Sequence, residues 1–166
     1  MTQDSPAGLY EADFVRWTEH QSRALRDAAR SGVNLPLDWE HLAEEIESLS
    51  RSQRRELRSR ISVIIEHLLK LEYSPARDPR GAWMDTIARE RSEIELLIED
   101  SPSLRGEAAR MIEGETKRAI RNASRALIRH GEGLPEAIAK LSATTYAEEQ
   151  VLGDWFPADP SPASPP

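Results

Sequence analysis

The chain has 166 residues, with 22 Lys and Arg against 29 Asp and Glu, a net charge of −7 and no cysteine. The missing cysteine excludes disulfides, thiolate metal sites and cysteine nucleophiles, and the acidic balance disfavours non-specific binding to DNA or RNA, which needs a basic surface. The longest apolar runs, such as Val63-Ile64-Ile65, are far short of the roughly 20 residues a membrane-spanning helix needs.

This length suits one domain with its own core. Aromatic residues make up 5% of the chain, and β-branched residues rarely alternate with polar ones, so strands are not expected. Residues 1–9, MTQDSPAGL, lack the basic and apolar parts of a secretory leader, which points to the cytoplasm. The expected layout is a disordered lead over 1–9, a single α-helical domain over 10–157 and a disordered Pro/Ser tail over 158–166.

In chain order, a first helix is predicted from about Tyr10 to Arg30, with Phe14, Trp17, Gln21, Leu25 and Ala28 on one face. Ser31-Gly32 stops it, with Gly at the left-handed position. After the short connection Asn34-Leu35-Pro36-Leu37 comes the spine, Asp38 to Tyr73. It has no Gly or Pro, and Leu42, Ile46, Leu49, Leu57, Ile61, Ile64, Leu68 and Leu71 recur in helical steps. Such a helix spans roughly 50 Å. Asp38 is its N-cap, and Glu40, Glu44, Glu45 and Glu47 suit its positive end.

Ser74-Pro75 ends the spine. A third helix follows from about Ala82 to Asp100, with Trp83, Ile87, Ile94 and Leu97 inward. Ser101 and Pro102 open a fourth, to about Arg129, whose predicted buried stripe is Ala109, Ile112, Thr116, Ile120, Ala123 and Leu127. Pro135 to Leu141 and Tyr146 to Leu152 are short helical pieces, and Trp155-Phe156 folds back as an apolar plug. The predicted fold is all-α: four principal helices in a bundle, a long central helix and a short helical C-terminal cap.

The run Asp38-x-x-His41-Leu42-x-Glu44-Glu45-Ile46-Glu47-x-Leu49 resembles the hallmark of a bacterial family known as domain of unknown function 29. Further matches are Tyr10-x-x-Asp13-Phe14-x-x-Trp17, His67-Leu68-Leu69-Lys70-x-x-Tyr73-x-Pro75 and Trp83-x-x-Thr86-Ile87-x-x-Glu90-Arg91-x-x-Ile94. Asp100-Ser101-Pro102-Ser103-Leu104 and Leu152-x-Asp154-Trp155-Phe156-Pro157 complete the set. The likeness covers about Leu9 to Pro157, with Leu71 standing where the family pattern suggests Trp. It implies an α-helical bundle and a bacterial source, and it carries no activity, cofactor or catalytic residue.

Four sets of residues are candidates for function. Asp38, His41, Glu44 and Glu45 share a helix surface, and carboxylate with imidazole is a ligand set for zinc, iron or manganese. With Glu90 they define the alternative reading, a metal-dependent hydrolase or oxidoreductase. The simpler reading makes Asp38 a cap and the glutamates dipole partners. A third ligand near His41 and Glu45 around a cavity separates the two.

His67, Lys70 and Tyr73 form a second polar group near the helix end, where His67 reads as a structural hydrogen-bonder. Two arginine stripes, Arg51, Arg54, Arg55 and Arg58 on the spine and Arg118, Arg121, Arg125 and Arg129 on the fourth helix, are interaction faces for an acidic partner or faces paired within the chain. Nucleic acid would require the two stripes to merge on one unpaired surface. Finally, Asp38 to Ser50 holds five acids and no Lys or Arg, while Arg51 to Arg60 holds five bases and one acid. Two spines laid antiparallel would match them, which predicts a homodimer. No catalytic residue, metal or cofactor is assigned, and the expected role is a non-enzymatic interaction or regulatory module with a protein partner.

Overall fold

The computed structural model describes residues 6–74, 76–129 and 135–158. Among them all regular structure is helical: α1 (Pro6–Ala12), α2 (Phe14–Arg30), α3 (Trp39–Tyr73), α4 (Arg80–Asp100), a 3-10 turn (Pro102–Leu104), α5 (Arg105–Arg129), α6 (Pro135–Ser142) and α7 (Glu148–Leu152). The chain falls into two compact units. Unit 1 is Met1–Leu57 with Glu95–Glu107, and unit 2 is Arg58–Ile94 with Ala108–Pro166. The tail from Asp159 on and the stop at His130-Gly131 lie outside the described residues.

The N-terminal expectations need two corrections. Helix begins at Pro6, inside the expected lead, because Pro at a first helical position gives up an N–H that has no partner there anyway. The helix expected from Tyr10 to Arg30 breaks at Asp13, whose extended backbone (φ −164°, ψ 96°) makes it the N-cap of α2. Gly32 does take a positive φ, 69°, after α2.

Unit 1 has a mixed core, in which Leu57, Leu97, Ile98 and Leu104 are buried together with the polar Asp13, Thr18, Ser22, Ser50 and Ser101. Val15, Thr18 and Ser22 are the buried positions of α2, so its inward face is turned from the predicted Phe14/Trp17/Gln21 face. Thr18 and Ser22 satisfy their hydroxyls on the carbonyls of Val15 and Glu19. Tyr10, Phe14 and Trp17 instead pack on one another, with the Tyr10 and Trp17 ring centroids 4.8 Å apart. In the first half of α3 the buried positions are Ala43, Ser50 and Leu57. Leu42 and Leu49, predicted to face inward, are 40% and 43% exposed.

Unit 2 has the apolar core. Leu68, Leu71, Ile61 and Ile64 of α3 are essentially inaccessible, and Ile87, Ile94, Ile112, Leu141 and Val151 join them. The buried stripe of α5 is Ala108, Met111, Ile112, Glu115 and Thr116, while the predicted Ala109 is exposed. Glu115 is the surprise in that stripe. Its carboxylate is faced by Arg58 at 4.0 Å and Arg118 at 3.6 Å, which offsets the cost of burying its charge.

Candidate functional site

The spine opens as its cap predicts. Asp38 accepts from the backbone N–H of His41 at 3.3 Å, and its other oxygen meets His41 Nδ1. That hydrogen bond is the main reason the His41 imidazole titrates above its ordinary 6.5, with the Asp38, Glu44 and Glu40 charges adding. The same bond holds Asp38 below the usual carboxylate range. Both side chains are solvent-exposed, so the pair acts locally.

A sign follows for pH. The imidazolium's share of helix-start stability is complete below the unfolded His value and fades as pH rises through the raised folded value. Asp38's share fades as pH falls through its lowered value. A proton-NMR titration is expected to place the His41 midpoint above the ordinary 6.5, and Asp38→Asn is expected to lower it. A His41 midpoint that Asp38→Asn leaves unmoved would refute the pair.

Glu44 and Glu45 are exposed and make no ion pair with Asp38 or His41. Among the described residues no three His, Asp or Glu side chains are grouped to hold a metal ion. Glu90 is bonded elsewhere, to Arg60 at 3.0 Å. Asp38 and His41 thus form a cap pair, with the Glu44 charge acting on His41.

The second polar group does not converge. His67 donates to the Val63 carbonyl at 2.8 Å within its own helix, Lys70 pairs with Glu66 at 2.7 Å, and the Tyr73 hydroxyl meets Thr144 Oγ1. Next to it, Tyr146 donates to Glu72 at 2.7 Å, and burial first, then that bond, keeps its phenol protonated far above the ordinary range.

The arginine stripes separate by partner. Arg54 bridges Glu19 of α2 and Glu107 of α5 inside unit 1. Arg51 lies 3.6 Å from Glu47, and Arg60 holds Glu90 and Glu93. Arg58 and Arg118 converge on Glu115. Arg55, Arg121 and Arg125 are exposed and form no ion pair among the described residues; the Arg129 side chain lies outside them. Four of the five bases from Arg51 to Arg60 are therefore engaged within the chain.

Two side chains that sequence reasoning left without a role tie distant segments together. Asp13 accepts from Arg16 N–H at 3.0 Å, from Ser103 N–H at 2.8 Å and from the Ser103 hydroxyl at 3.0 Å. Ser101, predicted to cap the helix after it, instead accepts the Val15 N–H at 3.2 Å. Each turn thus caps the other's helix. In unit 2, Arg91 donates to the carbonyls of Gln150, Val151 and Trp155 and lies 4.8 Å from the Phe156 ring centroid. The signal was present in the spacing: Asp13, Ser101, Ser103, Arg91 and Trp155 all sit inside the quoted motifs.

The remaining surface feature is apolar. Val33, Leu35 and Leu37 in the connection are 44%, 54% and 48% exposed, next in the chain to the open Leu42 and Leu49. Gln53, one turn beyond Leu49, has a side-chain oxygen shut from solvent without a hydrogen bond. Among the described residues no helix is long and apolar enough to cross a membrane.

Residues 9–156 match the model of a protein family described as "Domain of unknown function DUF29". The fold is also similar to the crystal structure of an alpha-helical protein of unknown function from Rhodospirillum rubrum, with a TM-score of 0.62 and 26% sequence identity. That match covers 89% of this chain and 98% of the other. No curated protein matches the chain.

Proposed function

The chain belongs to the DUF29 family, and from that premise we propose that it is a non-enzymatic, cytoplasmic binding module that engages a protein partner through the open leucine face at the start of α3. One observation carries the reading. Over Val33 to Leu49, five large apolar side chains stand 40–54% exposed, whereas the other exposed large apolar side chains, among them Leu96 and Ile128, are spread along the chain. Single exposed leucines are ordinary, but a series of them over a short stretch, beside a helix face, is the composition of a contact surface. Ser31 to Ser50 has five acids and no Lys or Arg; Arg26 takes up Glu40 and Glu47, while Glu44 and Glu45 stay exposed beside the leucines, so the partner is expected to be basic at its rim.

The test is in-cell crosslinking in the source organism with tagged wild type and with Leu42→Asp/Leu49→Asp, matched for helicity by circular dichroism. A partner captured by the wild type and lost, at least tenfold, by the variant supports the reading. Identical capture by both proteins would defeat it. These sites are already half in water, so the variant is expected to fold.

A further inference from the structure

The acidic leucine face has a counterpart on the same chain. From Lys117 to Arg129, α5 carries five bases and no acid. Arg121, Arg125 and Ile128 lie four and three residues apart, hence on one stripe of the helix. Ile128 is 63% exposed, and Arg121 and Arg125 are exposed with no ion pair among the described residues. On α3, Glu45 lies three residues after Leu42 and four before Leu49, so it sits between the two leucines on the surface. Asp38 to Leu49 and Lys117 to Ile128 each cover about 16 Å of helix. The two surfaces are opposite in charge, alike in length, and each carries exposed apolar side chains.

Helix dipoles do not account for this charge. Their effect is confined to about the first and last turns, whereas Glu44 and Glu45 lie beyond the first turn of α3 and Arg121 lies well before the end of α5; Glu47, Lys117 and Arg118 are already paired, with Arg26, Glu113 and Glu115. Nor does an antiparallel pairing of two spines use what is free, because Arg51, Arg54, Arg58 and Arg60 already have acidic neighbours in their own chain.

We infer that the occupant of the leucine face is a second copy of this chain, whose α5 stripe of Arg121, Arg125 and Ile128 docks against Leu42, Glu45 and Leu49. The inference rests on the binding reading above and names its partner. Opposed rows of charge set the register and speed of encounter, and burial of Leu42, Leu49 and Ile128 supplies the non-directional attraction. The contact is between different surfaces of the two chains, so it closes into a ring or a pair, or continues as a chain, according to the rotation it imposes.

Sedimentation equilibrium on the full chain decides it. At low salt the wild type is expected to show a mass above one chain, returning to one chain at about 0.5 M salt, where charges are screened within a few ångströms. Glu44→Lys/Glu45→Lys and Arg121→Glu/Arg125→Glu are each expected to weaken self-association at least tenfold at unchanged helicity. Mixed in equal amounts, the two variants are expected to associate again, since each retains the face the other has lost and the two reversed faces also attract. A wild type of single-chain mass at low salt and about 100 μM, variants that associate as the wild type does, or a mixture that stays at single-chain mass would each overturn the inference. A single-chain wild type that still captures another protein through Leu42 and Leu49 would leave the binding reading standing, so the two failures are distinguishable.

Discussion

Asp13→Ala is expected to lower stability by about 2–4 kcal/mol, read as a fall in the urea midpoint at unchanged m-value. The carboxylate is 6% exposed and takes three hydrogen bonds, two of them from backbone N–H groups at helix starts. Truncation strands Arg16 N–H at the start of α2 and Ser103 N–H in the 3-10 turn, and a buried donor without a partner costs about 1–3 kcal/mol. Loss of an N-cap alone costs about 1 kcal/mol; the excess measures the second segment it holds. Asp13→Asn keeps one carbonyl oxygen and is expected to lose less than half as much. Ser101→Ala removes the reciprocal cap on Val15 and is expected to couple with Asp13→Ala, the double variant costing less than the sum. A loss under about 1 kcal/mol for Asp13→Ala would mean that water replaces all three bonds.

This reciprocal cap also marks where the sequence could be read and where it could not. The spine was legible end to end, because Asp38 caps it, Pro75 follows its last turn, and nothing between competes with helix. The break at Asp13 was not legible. Tyr10, Phe14 and Trp17 keep helical spacing straight across it, and the partners that favour the break, Ser101 and Ser103, lie about 90 residues away. Periodicity likewise selected Leu42 and Leu49 as core because they are large. The structure buries Ala43 and Ser50 instead, and Arg54 on that same side of the helix reaches Glu19 and Glu107. Hydrophobic pattern reports which face could be buried; long-range polar contacts decide which face is. Glu115 shows the converse. A glutamate reads as surface until two arginines, one of them 57 positions earlier, are brought beside it.

For the candidate site, the residue types were legible and their company was not. Asp38 and His41 pair as neighbours on one helix turn, which spacing alone suggests. Arg51 pairs one turn back with Glu47, as spacing suggests, but the division of the other arginines into engaged (Arg54, Arg58) and exposed without an ion pair among the described residues (Arg55, Arg121, Arg125) depends on where Glu19, Glu107 and Glu115 fall in three dimensions. No helical wheel contains that information.

Arg91→Ala is the second large effect, and it is expected to be local. The guanidinium donates at 2.9 Å to Val151, 2.8 Å to Gln150 and 2.7 Å to Trp155. Gln150 and Val151 are in the last turn of α7, whose carbonyls have no helical partner of their own, so Arg91 caps that helix from α4 while its face covers Phe156. Three charge-assisted bonds would suggest a larger figure, but burial opposes the charged form and pushes the Arg91 guanidinium below its ordinary range, with Asp154 partly compensating. A net loss of about 2–3 kcal/mol is therefore expected. Arg91→Lys is expected to recover less than half, because a single ammonium cannot reproduce the fork that reaches three carbonyls. Hydrogen exchange separates this from a general weakening: amides of residues 146–157 should exchange at least tenfold faster in Arg91→Ala, while those of Val15 to Ser22 in unit 1 keep their wild-type rates. Gly153 supplies an independent check on the same segment, since a Cβ there would lie 2.6 Å from both the carbonyl oxygen and a carboxylate oxygen of Glu149, so Gly153→Ala should speed exchange over the same residues while leaving Arg91 in place. If exchange in 146–157 is unchanged in Arg91→Ala, the C-terminal segment is held by Tyr146, Val151 and Trp155 packing alone, and the arginine is a passenger on α4.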